Sequence, residues 1–178
     1  MTKGIRLYIR MHFRLAQIQD LPQIKHTFEE IVKQMEDNQL QIWDDIYPCS
    51  FFEDDIHNNR LYILLEGTEM VSAFVLCNTD EGESAMTWKN RCGNALYLDR
   101  FGVNRNYVRK GIGSLMLEKA KETAKALGAD YLRLFVVDEN LPAIRLYEKG
   151  GFSRTQGIYH KVLDETCTLR EYGYELEL

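Results

Sequence analysis

The stretch Tyr107-Val108-Arg109-Lys110-Gly111-Ile112-Gly113-Ser114 decides the reading of this chain. Before it stands Leu98-Asp99-Arg100-Phe101-Gly102-Val103, a strand pattern of bulky residues interrupted by one glycine. After it Ile112, Leu115, Met116, Ala120, Ala124 and Leu127 recur at helical spacing, and Gly128 is a natural stop. Two glycines at the mouth of a helix let backbone N–H groups converge on an anion without Cβ obstruction. The helix dipole adds favourable potential at the same place. Local charge agrees, because residues 100–125 hold seven basic side chains against two acidic ones in a chain whose net charge is −5. Arg105, Arg109 and Lys110 are well placed to meet phosphates, although a helix start with glycines chosen only for close packing fits the same letters.

Three nucleotide-binding readings compete. A Walker loop needs Gly-Lys-Ser/Thr after a four-residue gap, and the chain has none there. A dinucleotide fingerprint needs a third glycine at the position of Met116 and a turn directly after its strand. Seven residues separate Val103 from Gly111 instead. Asp138, at the end of the next strand, is the one feature that suits that fingerprint.

The third reading gains from Asn140-Leu-Pro-Ala143-Ile-Arg-Leu146-Tyr147-Glu148-Lys149-Gly-Gly151-Phe152, one strand further on. Together the two stretches resemble the GNAT superfamily of acyl-CoA-dependent N-acyltransferases. The family's diphosphate loop, Arg/Gln-x-x-Gly-x-Gly/Ala, is matched by Val108-Arg-Lys-Gly111-Ile-Gly113. Its second signature, Asn-x-x-Ala-x-x-Leu-Tyr-x-x-x-Gly-Phe, is matched from Asn140 to Phe152. Val108 departs from the pattern, and Arg109 or Lys110 would supply the charge that it lacks.

The resemblance implies an α/β fold: a mixed, mostly antiparallel central sheet with splayed central strands, flanked by about four helices. It also implies acetyl-CoA as the cofactor, held by Val108, Arg109, Lys110, Gly111, Ile112, Gly113 and Ser114 around the diphosphate. Phe101 and Val103 would offer main-chain hydrogen bonds to pantetheine, with a backbone N–H polarising the thioester carbonyl. Asn140 and Ala143 would meet the pantetheine arm, and Tyr147 would be the general acid for the leaving thiolate. Read without the family, Asn140 is a good helix cap and Tyr147 sits at core-compatible spacing.

The expected reaction is direct transfer of an acetyl group to a primary amine of a small molecule or peptide. A non-catalytic acyl-CoA-binding sensor or regulatory module is the alternative. An ammonium must lose a proton before it attacks; Asp99 is the first candidate base and Glu66 the second. Trp43, Tyr47 and Trp88 lie outside the strong helix stripes and are candidates for binding the acceptor. Residues 29–55 carry nine acidic groups against one lysine, which suits a cationic partner or simply a solvated face.

Outward from this centre, a strand is expected at 11–16, with Asp20 capping a helix whose first turn holds Pro22. Ser50 and Glu53 read as a capping box for a short second helix towards Asn58. Residues 61–66 and 70–77 read as a hairpin around Gly67-Thr68, and 78–94 as a loop. After the strand 131–137 and the helix from Asn140, two more strands are expected at 152–160 and 166–176. The alternation of residues 169–178 suggests an exposed strand that pairs two subunits into a homodimer.

At 178 residues, 45% hydrophobic and 28% charged, the chain reads as one domain over 1–178, with 1–10 as an N-terminal extension. The acidic balance argues against nucleic-acid binding. No apolar run suits a bilayer, and no signal-peptide pattern opens the chain, so a cytoplasmic location is expected. Cys49, Cys77, Cys92 and Cys167 have neither disulfide-framework nor metal-ligand spacing.

Overall fold

The computed structural model describes residues 11–40, 42–44, 46–163 and 167–178. Residues 1–10, read above as an extension, lie outside the described residues. The strands form an eight-stranded, mostly antiparallel sheet in the order β1-β2-β3-β4-β5-β8-β6, with β7 also on β8. Four α-helices accompany it among the described residues. The described residues group into two compact units, one within 1–75 and 100–116 and the other within 76–99 and 117–178.

In the first unit β1 (Met11–Leu15) pairs antiparallel with β2 (Leu61–Glu66), and β2 with β3 (Glu69–Cys77). Gly67, at φ +63°, makes the tight turn that sets Glu66 opposite Glu69, as the sequence predicts. Helix α1 (Leu21–Asp37) buries Ile24, Phe28, Ile31 and Val32 along one stripe. Asp20 does not cap it. Its carboxylate instead accepts from Nη1 and Nη2 of Arg14, at 2.6 and 2.8 Å, and from the main-chain N–H of Gln17. Helix α2 (Phe52–His57) starts after Phe51 with no side-chain cap, so the expected Ser50–Glu53 box is not formed.

Strand β4 (Ala95–Val103) runs through both units. Its Gly102 follows from packing: a Cβ there would stand 2.7 Å from the Phe28 ring and 3.0 Å from Ile31 of α1. The residue in the left-handed region is Arg100, at φ +47°.

In the second unit β4 pairs parallel with β5 (Tyr131–Val137) over Ala95–Leu98 and Tyr131–Leu134. That ladder stops at Leu98 and Leu134, while β5 keeps its antiparallel partner β8 (Thr168–Glu177) as far as Val137. The expected strand over 152–160 is two pieces, β6 (Ser153–Arg154) and β7 (Tyr159–Val162), with Gly157 at φ +120° in the break. Both pieces pair with β8 on the side away from β5. Strand β8 therefore has partners along both edges and is not the exposed strand that its alternation suggested. The core of this unit includes Met86, Trp88 and Tyr97, with Phe135 and Tyr159 packed against them.

Candidate active site

The first unit carries the glycine loop. Asn104 accepts a hydrogen bond from the Asn106 N–H and donates its own amide to the Met70 carbonyl at 2.9 Å, which fixes the turn after β4. Tyr107 is buried, and its hydroxyl lies 2.7 Å from a Glu66 carboxylate oxygen and 3.0 Å from one of Glu69. Burial and these two carboxylates push the Tyr107 hydroxyl up, so it stays a phenol. Glu66, the second candidate base, is thus engaged in anchoring the turn.

Beyond this anchor Val108, Arg109, Lys110 and Gly111 are exposed. Arg109 and Gly111 both lie at positive φ, +60° and +83°. Backbone in such alternation turns successive N–H groups to one side and forms an anion-binding nest. Helix α3 (Ile112–Ala126) starts directly after Gly111, so its first N–H groups have no acceptor within the helix. Ile112 contributes only its main chain here, since its side chain is 1% exposed. Gly113 and Ser114 lie in the same first turn. The Lys110 ammonium stands 5.1 Å from the Tyr107 ring centre, at the exposed rim. These residues fit a diphosphate.

The outer half of β4 belongs to the same unit. Gly102 accepts at its carbonyl from the Ser72 hydroxyl, and Asn104 donates its N–H to Val71, so both face β3. Backbone groups alternate edges along a strand, which directs those of Phe101 and Val103 to the opposite edge.

The second unit carries the other signature. Asn140 caps α4 (Leu141–Lys149), its Oδ1 accepting the Ala143 N–H at 3.3 Å. Two turns on, Tyr147 is buried and meets Phe152 edge-on at 6.0 Å. Burial first, then the charge of Asp99, pushes its hydroxyl up, so a neutral phenol stands in electrostatic reach of that carboxylate.

The candidate acceptor aromatics divide. Trp43 packs on Phe28 at 5.6 Å and on Tyr47 at 6.3 Å, and Tyr47 on Phe51 at 5.5 Å, a row of rings beside α1 and α2. Trp88 lies in the other unit and is 5% exposed. Its indole N–H donates to the Glu83 carbonyl, and the Arg133 guanidinium sits 4.5 Å from its ring centre. Trp88 is therefore a core ring that houses a buried arginine.

Glu171 of β8 belongs to neither of the two signatures. Burial, assisted by Asp80, Asp99 and Glu81 and opposed by Lys161, pushes its carboxyl up to about 7. Only its place in an alternating strand marks it in the sequence, and that pattern does not say which neighbours it meets.

Comparison with known proteins agrees with this geometry. The model of the acetyltransferase (GNAT) family matches residues 18–152. The thialysine N-epsilon-acetyltransferase of Bos taurus is 40% identical over 68 residues, which take in 38% of this chain and 38% of that protein. Matches to curated relatives span between 38% and 59% of those proteins' lengths. Among solved structures, a GNAT-family acetyltransferase from Streptococcus agalactiae has a TM-score of 0.75 at 16% identity, covering 94% of this chain and 95% of that one. The structure of yncA from Salmonella typhimurium with its cofactor acetyl-CoA has a TM-score of 0.66 at 16% identity, covering 95% and 94%. With the glycine loop, the interrupted β4–β5 ladder and a family match over most of its length, the chain belongs to the acetyltransferase (GNAT) family.

Proposed function

We propose that this protein is an N-acetyltransferase that passes an acetyl group from acetyl-CoA directly to a primary amine of a small molecule or peptide. The observation that carries the reading is the exposed turn of Arg109 and Gly111, both in the left-handed region, directly before α3. The name of the bovine relative, an N-epsilon-acetyltransferase, supports an amine acceptor, and the acetyl-CoA bound to yncA supports the cofactor.

In this reading the amides from Arg109 to Ser114 donate to the diphosphate, and Arg109 and Lys110 offset its charge. Phe101 and Val103 hold the pantetheine amides by main-chain hydrogen bonds, as an added strand does. The cofactor, when bound, supplies an acyl carbon activated as a thioester. A β4 N–H polarises its carbonyl as negative charge develops. Asn140 spends its oxygen on the Ala143 cap, which leaves its amide group to meet the pantetheine arm. Tyr147, kept neutral by burial, delivers its proton to the departing thiolate. Trp43 and Tyr47, set edge to face, offer an apolar wall to the acceptor. The reading includes a cytoplasmic location, where the four cysteines remain thiols, as they are here.

The test is thiol release from acetyl-CoA with a panel of primary amines and peptides, with product masses recorded. Acetylated amine with any acceptor supports the enzyme. Binding of the cofactor by calorimetry without release in any case makes the chain a non-catalytic acyl-CoA-binding module. No heat with the cofactor overturns both.

A further inference from the structure

The reaction proposed above leaves one proton without a destination, since an alkylammonium must lose one before its nitrogen attacks. Strand register in the second unit identifies a face that suits this task. Residues directly opposite on neighbouring strands share a face. Glu171 of β8 lies opposite Val137 of β5 on one side and opposite Tyr159 of β7 on the other. Phe135 is two residues from Val137, hence on the same face, and Tyr97 of β4 stacks on it at 6.4 Å. Asp99 is two residues beyond Tyr97 and shares that face.

The loop after β3 covers the same place. Asp80 accepts the Gly82 N–H at 2.8 Å, and a Cβ on Gly82 would stand 2.7 Å from Phe135 and 2.8 Å from Tyr159. The Tyr159 hydroxyl lies 3.4 Å from a Glu81 carboxylate oxygen. The titratable groups acting on Glu171 are thus Asp80 and Glu81 from the loop, Asp99 from β4, and Lys161 from β7, with Tyr159 opposite it. Of these, Asp99 also acts on Tyr147. One carboxylate therefore links Glu171 to the proposed proton donor for the thiolate.

We propose that Glu171 takes the proton from the acceptor ammonium, and that Asp80 and Asp99 beside it draw a cationic amine to that place. The inference rests on the acetyltransferase reading and names the base that it lacks. Glu171 removes one proton from R–NH3+, and the freed nitrogen pair forms the C–N bond at the thioester carbon. The C–S bond breaks, its electron pair leaves on sulfur, and Tyr147 protonates the thiolate. The tetrahedral nitrogen gives its surplus proton back to the Tyr147 oxygen, and Glu171 releases its own to solvent. The burial that lifts the Glu171 carboxyl to about 7 matches the group to this work near neutral pH.

Two measurements test it. Carbon NMR of protein labelled at glutamate carboxyls, with pH, should show one resonance titrating near 7 that is missing in Glu171→Gln. A Glu171 resonance titrating in the ordinary carboxylate range, below about 5, overturns the proposal whatever the acceptor. With an amine that the panel finds active, Glu171→Gln should lower kcat/KM roughly 100-fold and abolish its rise with pH near 7. Coenzyme A affinity should be unchanged. Glu171→Asp should keep part of the rate and the rise, and assigns the resonance if the Gln variant does not fold. Retention of rate and pH profile by Glu171→Gln, while the wild type acetylates, overturns this inference alone. A wild type that binds coenzyme A yet acetylates no amine overturns the acetyltransferase reading and the inference with it.

Discussion

Arg100 donates from Nη2 to the Asp55 carboxylate at 3.0 Å, with its Nε 2.8 Å from the other carboxylate oxygen. Asp55 is fully buried and Arg100 nearly so, at 8% exposure. Arg60 donates to the same carboxylate at 2.6 Å. Arg100 is also the residue of β4 at φ +47°, where a side chain costs of order 1–2 kcal/mol. A buried ion pair from α2 thus holds a strained residue directly before Phe101, whose main chain the proposed cofactor contact uses.

Asp55→Ala should therefore destabilise the protein by about 3–5 kcal/mol, because it leaves a buried guanidinium without its carboxylate. Urea unfolding followed by circular dichroism checks this. A loss under about 1 kcal/mol would mean that the pair behaves like an exposed one.

Gly102→Ala tests the approach of α1 to β4. The new methyl would press on the Phe28 ring, which is fully buried and has little room to retreat. A loss of about 1–3 kcal/mol is expected from overpacking. An unchanged unfolding midpoint would show that the ring gives way freely.

Gly111→Glu should raise the Michaelis constant for acetyl-CoA at least about tenfold, by setting a carboxylate against the diphosphate and a side chain at φ +83°. Gly111→Ala separates the two causes, since it carries the strain without the charge. If both variants bind the cofactor as the wild type does, the loop is not the diphosphate site.

Much of the fold was legible because it is local. The spacing of Ile24, Phe28, Ile31 and Val32, the Gly67 turn and the run Tyr131–Val137 each specify their element without help from distant residues. The paired signatures placed the glycine loop and α4 for the same reason. What escaped was set by tertiary contact. Asp20 looked like a cap, yet a guanidinium from β1 competes for its carboxylate and wins with two short hydrogen bonds. Trp88 looked like an acceptor wall until Arg133, buried to 1% exposure, took its face. The alternation of β8 suggested an exposed strand, because sequence does not say how many neighbours a strand has. Glu171 becomes notable only through three carboxylates from two other parts of the chain, the loop after β3 and β4.

Tyr147→Phe keeps the ring that packs on Phe152 and removes only the hydroxyl. Turnover should fall about 100-fold with little change in cofactor affinity, as for loss of a general acid. Steady-state kinetics with a single active amine decides it. An unaltered kcat would remove Tyr147 from the reaction and leave it as a core ring.

Glu171 also predicts how stability varies with pH. Its carboxyl ordinarily titrates near 4.5 and stands at about 7 in the folded protein, so between those values the native state holds a proton that the unfolded chain has lost. Stability falls with rising pH wherever the native state binds more protons. This group therefore contributes nothing below about pH 4.5, destabilises increasingly up to about pH 7, and acts at a constant level above it, by at most about 3 kcal/mol. Glu171→Gln is neutral at every pH and should remove that slope, so the variant gains on the wild type as pH rises from 5 to 8. Denaturant midpoints of the two proteins at matched pH provide the comparison, and parallel curves across that range would show that Glu171 is ionised in the native state throughout.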